Sequence, residues 1–186
     1  MTNGPQPSVR GVASLDLGDP ALTAQVAEGL QAVEALLAAS LNMGEDFITE
    51  KVNHLAFAGG KRFRPTIALL CASFGPRPDA ENVIKAATLT EMVHLATLYH
   101  DDVMDEADRR RGVASANARW GNSVAILAGD ILLAQSSRLM SEIDTATVAH
   151  FADTFQTLVT GQMRETIGAG NSNPVEHYLR VVEEKT

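Results

Sequence analysis

Apolar residues recur at helical spacing along most of the chain. The segment from Leu22 to Leu41 has apolar residues at intervals of three and four, and Asp19-Pro20 before it is typical of a helix start. No segment shows sustained strand alternation, so the pattern predicts an all-α fold, an antiparallel helix bundle with a central cleft. Further helices are predicted at Asp46–Ala58, Lys61–Phe74, Asp79–Glu106, Ser115–Trp120, Asn122–Ile143, Thr145–Ile167 and from Pro174 onward.

The two ends of the chain depart from this pattern. Residues 1–20 are rich in Gly, Pro and Ser and predict a flexible arm, which leaves a single domain over residues 21–186 with no internal linker. The last predicted helix has no C-terminal capping signal at Thr186. We therefore expect a domain that is incomplete at its C-terminus.

Charge and composition narrow the possible functions. The formal net charge of −8 makes the chain a poor partner for nucleic acid or for an anionic membrane. The best apolar run, residues 124–134, is too short to insert stably in a membrane and is interrupted by Asp130. We expect no signal peptide, because the first residues contain no apolar h-region, and the lone Cys71 lies in an apolar stretch. We expect a cytoplasmic protein with Cys71 in its core.

An acidic cluster, His100–Glu106, ends the long fourth helix. Asp101 and Asp105 are four residues apart and share a face, where the helix dipole disfavours negative charge. Two carboxylates about 6 Å apart at an effective dielectric of about 20 repel by about 3 kcal/mol before screening. A hard divalent cation such as Mg²⁺ would reverse the sign of this interaction. A solvated acidic helix end is the alternative interpretation.

Two other segments concentrate positive charge. Gly59–Pro65, with the sequence GGKRFRP, places three cations at the start of a helix, which is unfavourable unless an anion such as diphosphate binds there. Lys61 and Arg64 share a face, so Arg62 should point elsewhere and is predicted to be a surface charge. The second segment, Arg109–Gly112, has the sequence RRRG and follows the aspartates closely.

The order of these motifs resembles that of a known family, the trans-prenyl diphosphate synthases, over roughly residues 41–186. The motifs are GGKRFRP, EMVHLATLYHDDVMD, RRRG, ARWGN, AGDILLA, GQMRET and EKT. The resemblance implies an isoprenoid synthase-like fold, a Mg²⁺ cofactor and a homodimer at full length. It also implies an electrophilic reaction, in which isopentenyl diphosphate attacks an allylic prenyl diphosphate as the allylic diphosphate departs.

The resemblance also implies roles for individual residues. Asp101 and Asp105 would bind Mg²⁺ on the allylic diphosphate, and Asp102 would support them. Isopentenyl diphosphate would contact Lys61, Arg64, His94 and Arg111, whereas Arg110, Gln162 and Lys185 would line the allylic diphosphate. His94, taken alone, is more typical of a core histidine.

Product length is predicted from the two residues one turn before Asp101. Ala96 and Thr97 are both small, and in the resembling family bulky residues here stop chain growth. We therefore expect an open tunnel floor and a product longer than farnesyl. The alternative is that both residues only permit close helix packing.

Several alternatives remain open at this point. The family's second aspartate-rich motif does not occur before Thr186, so we expect little or no prenyl transfer by this chain alone. It would then be a non-catalytic or degenerate fragment or subunit of such a synthase. An HD-type metal-dependent phosphohydrolase would use His94, His100, Asp101 and Asp105 as ligands. A terpene cyclase would share the helical fold and the aspartates but would need no isopentenyl site.

Overall fold

The structure, a computed structural model, describes residues 16–185. These residues form eight helices and one two-stranded hairpin, so the all-α prediction is confirmed apart from the hairpin. The elements are α1 Pro20–Ser40, α2 Asp46–Asn53, α3 Phe63–Ala72, α4 Glu81–Met104, β1 Arg109–Arg110, β2 Val113–Ala114, α5 Ala116–Trp120, α6 Asn122–Ser141, α7 Thr145–Ile167 and α8 Pro174–Lys185.

The chain divides into two compact units at Ile143 and Asp144, a division that the sequence did not predict. α6 and α7 are joined by only three residues, 142–144, so no linker composition marks the boundary. The division is visible only in packing, because α7 packs extensively against α8.

The start of the first unit follows from local capping and from an apolar stripe. Asp19 Oδ1 accepts hydrogen bonds from the backbone N–H groups of Ala21 and Leu22 at 2.8 and 3.1 Å, which caps α1 as predicted. Leu17 packs against the hydrophobic core just before this cap. Of the predicted arm, residues 1–15 lie outside the described residues. The predicted stripe of α1 is buried: Val26, Leu30, Val33 and Leu37.

α4 is the central helix of the first unit and contacts α1, α3, α5 and α6. Met92, Leu95 and Tyr99 are completely buried along it. The Tyr99 hydroxyl donates to the Lys51 carbonyl at 2.6 Å and accepts from the Leu55 N–H at 3.2 Å. Burial is the main cause that raises the pKa of Tyr99 to about 12. Tyr99 therefore stays a neutral hydroxyl that fixes the end of α2 against α4.

α3 is shorter than predicted, and its exposed face contains Cys71. Pro65 and Leu69 face the interior, whereas Phe63, Ile67 and Cys71 lie on the opposite, exposed face. The core assignment of Cys71 was wrong because the apolar residues around it are spread over both faces of the helix.

The second unit consists of α7 and α8. Gly161 allows the two helices to approach closely, since a Cβ there would lie 2.8 Å from the Lys185 backbone nitrogen. Arg164 Nε donates to Glu184 Oε2 at 2.9 Å, and Arg164 Nη2 donates to Glu184 Oε1 at 3.0 Å. Across the part of the chain that the structure describes, no helix combines the length and hydrophobicity that a membrane span requires.

Candidate functional site

The basic loop before α3 has an unusual backbone. Gly59 and Gly60 have φ values of 113° and 147°, and Arg62, at the N-cap of α3, has a φ of 48°. Gly60 also lies close to the hairpin, because a Cβ there would be 3.0 Å from the Arg111 guanidinium. Lys61 and Arg64 remain exposed, as an anion-binding role requires. The first turn of α3 has no acidic residue to balance them.

Arg62 was wrongly predicted to be a surface charge. Its side chain is 8% exposed and points into the first unit. It forms ion pairs with Glu34 of α1 and, at 2.8 Å, with Glu91 of α4. It also donates to the Ala56 carbonyl at 2.8 Å. Arg62 therefore anchors the loop to the interior of the first unit, while Lys61 and Arg64 are exposed to solvent.

Arg111 brings the hairpin against this loop. Arg111 and Gly112 have φ values of 52° and 82°, as a two-residue hairpin turn with positive φ at both positions requires. Arg111 Nη1 donates to the Gly59 carbonyl at 2.6 Å and to the Leu55 carbonyl at 2.9 Å, and Nη2 lies 3.4 Å from Glu91 Oε1. The two basic segments, GGKRFRP and RRRG, thus meet in space.

Glu91 is a residue of this cluster that the sequence interpretation missed. Its side chain is 2% exposed, and its Oε1 atom receives both Arg62 and Arg111. The available signal was its position as a lone carboxylate within an otherwise uncharged stretch of α4, residues 86–93. A buried carboxylate needs partners of this kind.

His94 lies among the same arginines. Burial is the main cause that lowers the pKa of His94 to about 4, and Arg64, Arg111 and Arg110 lower it further while Glu91 opposes them. The imidazole is therefore neutral at pH 7 and offers one N–H donor and one acceptor. The structure brings together four of the residues predicted to bind substrate: Arg64, His94, Arg110 and Arg111.

The acidic end of α4 is tied to the hairpin as well. Asp102 is completely buried and accepts from Arg110 Nε at 2.6 Å. Burial raises the pKa of Asp102, an effect that Arg110 opposes. Its other oxygen, Oδ2, has no hydrogen-bond partner within the described part of the chain. Asp101 is half-buried and Asp105 is exposed at the C-cap.

The donor set at this helix end fits Mg²⁺. The last turn of α4 contains no basic residue, so Asp101 and Asp105 add negative charge where the dipole already disfavours it. Among the described residues, no group of three or more His, Cys, Asp or Glu side chains forms a metal site. Mg²⁺ commonly takes only one or two protein carboxylates and fills its shell with water and phosphate oxygens.

The remaining predicted residues are Ala96 and Thr97 on α4 and Gln162 and Lys185 in the second unit. Ala96 has no accessible surface, which agrees with the packing alternative, and Thr97 is half-buried with its hydroxyl donating to the His94 carbonyl at 2.9 Å. Gln162 and Lys185 belong to the second unit, where Lys185 Nζ donates to Glu165 at 2.5 Å. The roles of all four stay predictions.

His100 makes contacts of another kind. Its Nε2 lies 3.1 Å from the Ile126 carbonyl and 3.4 Å from Asp130 Oδ1, both on α6. The ring packs on Gly129, where a Cβ would lie 2.3 Å from Nε2. Because Nε2 already faces a carbonyl and a carboxylate, His100 is an inter-helix contact between α4 and α6.

The polyprenyl synthetase family matches residues 45–186. The chain belongs to this family. Nonaprenyl diphosphate synthase of Mycobacterium tuberculosis is 54% identical to the chain over 176 residues, covering 94% of this chain and 52% of the relative. Octaprenyl diphosphate synthase of Escherichia coli is 33% identical over 163 residues, covering 86% and 50%.

Solved structures give the same result for the fold. Geranylgeranyl pyrophosphate synthase from Corynebacterium glutamicum, complexed with calcium and isoprenyl diphosphate, matches with a TM-score of 0.83 and 60% identity over 92% of this polyprenyl synthetase chain and 52% of that structure. A decaprenyl diphosphate synthase from Rhodobacter capsulatus matches with a TM-score of 0.79 and 34% identity, over 89% and 52%. The predicted isoprenoid synthase-like fold is therefore confirmed.

The chain spans about half the length of the curated relatives that it matches. Its membership of the polyprenyl synthetase family leaves the HD-type phosphohydrolase and terpene cyclase alternatives without support.

Proposed function

We propose that the protein is a prenyltransferase that condenses isopentenyl diphosphate with an allylic prenyl diphosphate in the cytoplasm. The observation that carries this proposal is the contact of Arg111 with the Gly59 carbonyl, because it joins the two basic segments beside His94. The names of the relatives, nonaprenyl and octaprenyl diphosphate synthase, support a product longer than farnesyl. We further propose that the full-length enzyme is a homodimer.

In this proposal, the basic cluster binds the diphosphate of isopentenyl diphosphate. Lys61 and Arg64 are exposed cations, and no ion pair engages either of them within the described residues. Their charges are therefore available to phosphate oxygens. The Nη atoms of Arg111 already contact Gly59, Leu55 and Glu91, so Arg111 would bind phosphate through an N–H group that these contacts leave over. Neutral His94 can donate one N–H without taking a proton from the substrate. The cluster thus holds the nucleophile in position by charge and by directed hydrogen bonds.

The acidic end of α4 takes the allylic substrate. Asp101 and Asp105 would hold Mg²⁺, and Asp102 orients Arg110 through its ion pair. When bound, Mg²⁺ supplies positive charge that favours loss of the allylic diphosphate. Breaking the allylic C–O bond leaves an allylic cation, the isopentenyl double bond attacks it, and the new cation loses a proton to the released diphosphate. Arg110 contributes charge stabilisation to the departing group.

Calorimetric titration with isopentenyl diphosphate tests the basic site. Lys61→Gln and Arg64→Gln should each weaken binding by about tenfold, because each removes one charge-assisted contact. Arg77→Gln is the matched control, since Arg77 is an exposed loop cation outside the cluster. Equal affinities for all four proteins would overturn the assignment of this site.

Titration with Mg²⁺ in the presence of an allylic diphosphate tests the acidic site. Asp101→Asn and Asp105→Asn should abolish the Mg²⁺-dependent part of binding, whereas Glu106→Gln, at an adjacent exposed carboxylate, should retain it. His100→Gln should also retain it, because His100 contacts α6. Loss of metal binding in His100→Gln would favour the phosphohydrolase alternative.

A second candidate function is that of a non-catalytic subunit or fragment. The observation in its favour is the exposure of large apolar side chains in the second unit, including Ile167 at 76%, Val175 at 65% and Tyr178 at 64%. We expect little or no turnover by this chain with Mg²⁺ and both diphosphates. Measurable turnover would refute that expectation, and size-exclusion chromatography would detect assembly.

A further inference from the structure

A buried ion-pair network lies beneath the basic loop. It contains two carboxylates and two guanidinium groups that come from four separate segments of the first unit: Glu34, Arg62, Glu91 and Arg111. All four side chains are 18% exposed or less. Because the opposite charges are equal in number, the network is neutral as a whole. Its net charge is therefore zero, and its effect on the site above it is on the positions of the basic loop and of Arg111.

Arg62 holds the loop backbone in an unfavourable conformation. Its φ of 48° lies in the left-handed region, which residues with a Cβ rarely adopt. The guanidinium offsets this by reaching Glu34, Glu91 and the Ala56 carbonyl at once. Lys61 precedes Arg62 directly, and Arg64 follows it in the first turn of α3. The anchoring of Arg62 thus sets where both exposed cations lie.

Glu91 connects this anchor to Arg111. Its Oε1 atom lies 2.8 Å from Arg62 Nη1 and 3.4 Å from Arg111 Nη2. The Nη1 atom of Arg111 is already engaged with two backbone carbonyls, those of Leu55 and Gly59. Glu91 therefore orients the Arg111 guanidinium by contacting its other Nη atom, Nη2. Glu91 belongs to α4, whose other buried side chains pack in the core.

We propose that Glu91, together with Arg62, is a positioning residue that holds Arg111 and the Gly59–Arg64 loop in their diphosphate-binding arrangement before the substrate arrives. This inference rests on the proposed function of the basic site. Neither residue contacts the diphosphate in this proposal. Binding is strengthened because the cost of ordering Arg111 and the loop is met on folding instead of on association.

The direction in which diphosphate affinity changes in Glu91→Gln distinguishes a positioning role from a purely Coulombic one. Replacing Glu91 by Gln removes a negative charge near an anion site, which by Coulomb attraction alone would make a diphosphate bind more tightly. Positioning predicts the reverse, because Arg111 and Arg62 lose their shared acceptor charge. A purely structural role predicts a lower unfolding temperature with an unchanged dissociation constant of the folded protein.

The test is calorimetric titration of the whole chain and of Glu91→Gln with isopentenyl diphosphate and with inorganic pyrophosphate. We expect both dissociation constants to rise by about tenfold or more. A matching rise for pyrophosphate would show that the diphosphate, and not the prenyl tail, senses the change. Glu184→Gln is the matched control, because it breaks the Arg164 ion pair of the second unit. An unchanged or lower dissociation constant for Glu91→Gln would overturn the proposal.

Two further measurements keep the test decisive if Glu91→Gln does not fold. Arg62→Lys retains the charge but cannot reach Glu34, Glu91 and Ala56 together, so it should also bind isopentenyl diphosphate about tenfold more weakly. In the wild-type chain, nitrogen-15 NMR should show slow rotation of the Arg111 guanidinium before any ligand is added. Free rotation of that group in the ligand-free chain would overturn the proposal without any variant.

The outcomes also distinguish this inference from the proposed function. Failure of the wild-type chain to bind isopentenyl diphosphate would count against the proposed substrate site, while the NMR result would still report whether Arg111 is held. Normal binding by both the wild type and Glu91→Gln would leave the substrate site intact and would remove only the positioning role.

Discussion

Asp102 and Arg110 form an ion pair in which Nε and Nη2 of Arg110 both lie 2.6 Å from Oδ1 of Asp102. Asp102 is completely buried, whereas the Arg110 side chain is 31% exposed. The pair therefore joins the acidic end of α4 to strand β1 and leaves part of the guanidinium accessible. The two neighbouring motifs DDVMD and RRRG are connected by this contact.

Asp102 and Asp105 should respond to the same substitution with effects of very different size. Asp102→Asn removes the charge that Arg110 requires inside the first unit and should lower the free energy of unfolding by about 2 kcal/mol. Asp105→Asn removes an exposed charge at a helix C-terminus and should change it by less than about 0.5 kcal/mol. Urea unfolding followed by the fluorescence of Trp120, the single tryptophan, measures both. Equal losses would contradict the assignment of Asp102 as the buried partner.

His94 should make the stability of the chain depend on pH. Its pKa is lowered from 6.5 to about 4, so between these values the unfolded imidazole binds a proton that the folded one does not. Stability should therefore fall as the pH is lowered from 6.5 to 4, by about 1 to 2 kcal/mol once solvent screening of this partly exposed group is included. The measurement is the unfolding free energy against pH, with His94→Gln as reference. Parallel curves for the two proteins would rule out this contribution.

Gly129 is expected to be intolerant of a side chain while His100 faces it. Gly129→Ala places a Cβ 2.3 Å from His100 Nε2, and the displaced ring should cost about 1 to 3 kcal/mol of stability. The double variant with His100→Ala should recover most of this loss, because the obstructing ring is gone. Ser123→Ala, at an exposed position of α6, is the control. Additive losses in the double variant would show that the contact is not the cause.

Ala96→Phe should shorten the product in a version of the protein extended to the length of its relatives. Ala96 has no accessible surface, so a phenylalanine must displace its neighbours and should also lower stability by about 1 to 3 kcal/mol. Thr97→Phe tests the half-buried neighbouring position. Ala87→Phe is the matched control, because Ala87 is equally buried on α4 but further from the aspartates. Chromatographic analysis of the products decides: unchanged length in both test variants places the tunnel floor elsewhere.

The helices of this chain were predictable because their signals are local. The stripe of α1, its Asp19 cap and the glycines at the C-caps of α5 and α7 are signals that act within a few positions along the chain. The hairpin was less visible, since each strand has only two residues and no alternation can be observed. The feature of the sequence that indicates the hairpin is the two-residue turn Arg111-Gly112 between Arg110 and Val113.

Two errors show where local reasoning fails. Arg62 was expected on the surface because two cations share the other face of the predicted helix, yet its partners Glu34 and Glu91 are 28 and 29 residues away in the sequence. Cys71 was expected in the core because its neighbours are apolar, yet it lies on the exposed face of α3. Burial in both cases depends on which helix packs on which face.

The sequence by itself determined the helical composition, the family resemblance and the identity of the charged residues, because capping, periodicity and motif order depend on neighbours along the chain. Only the tertiary structure decided how the charges are distributed. It buries Arg62 with Glu91 and Asp102 with Arg110 as its partner, and it leaves Lys61, Arg64 and Asp105 exposed. The physical reason is that a buried charge requires an opposite charge within a few ångströms. In this chain, folding brings those partners together from distant helices and loops.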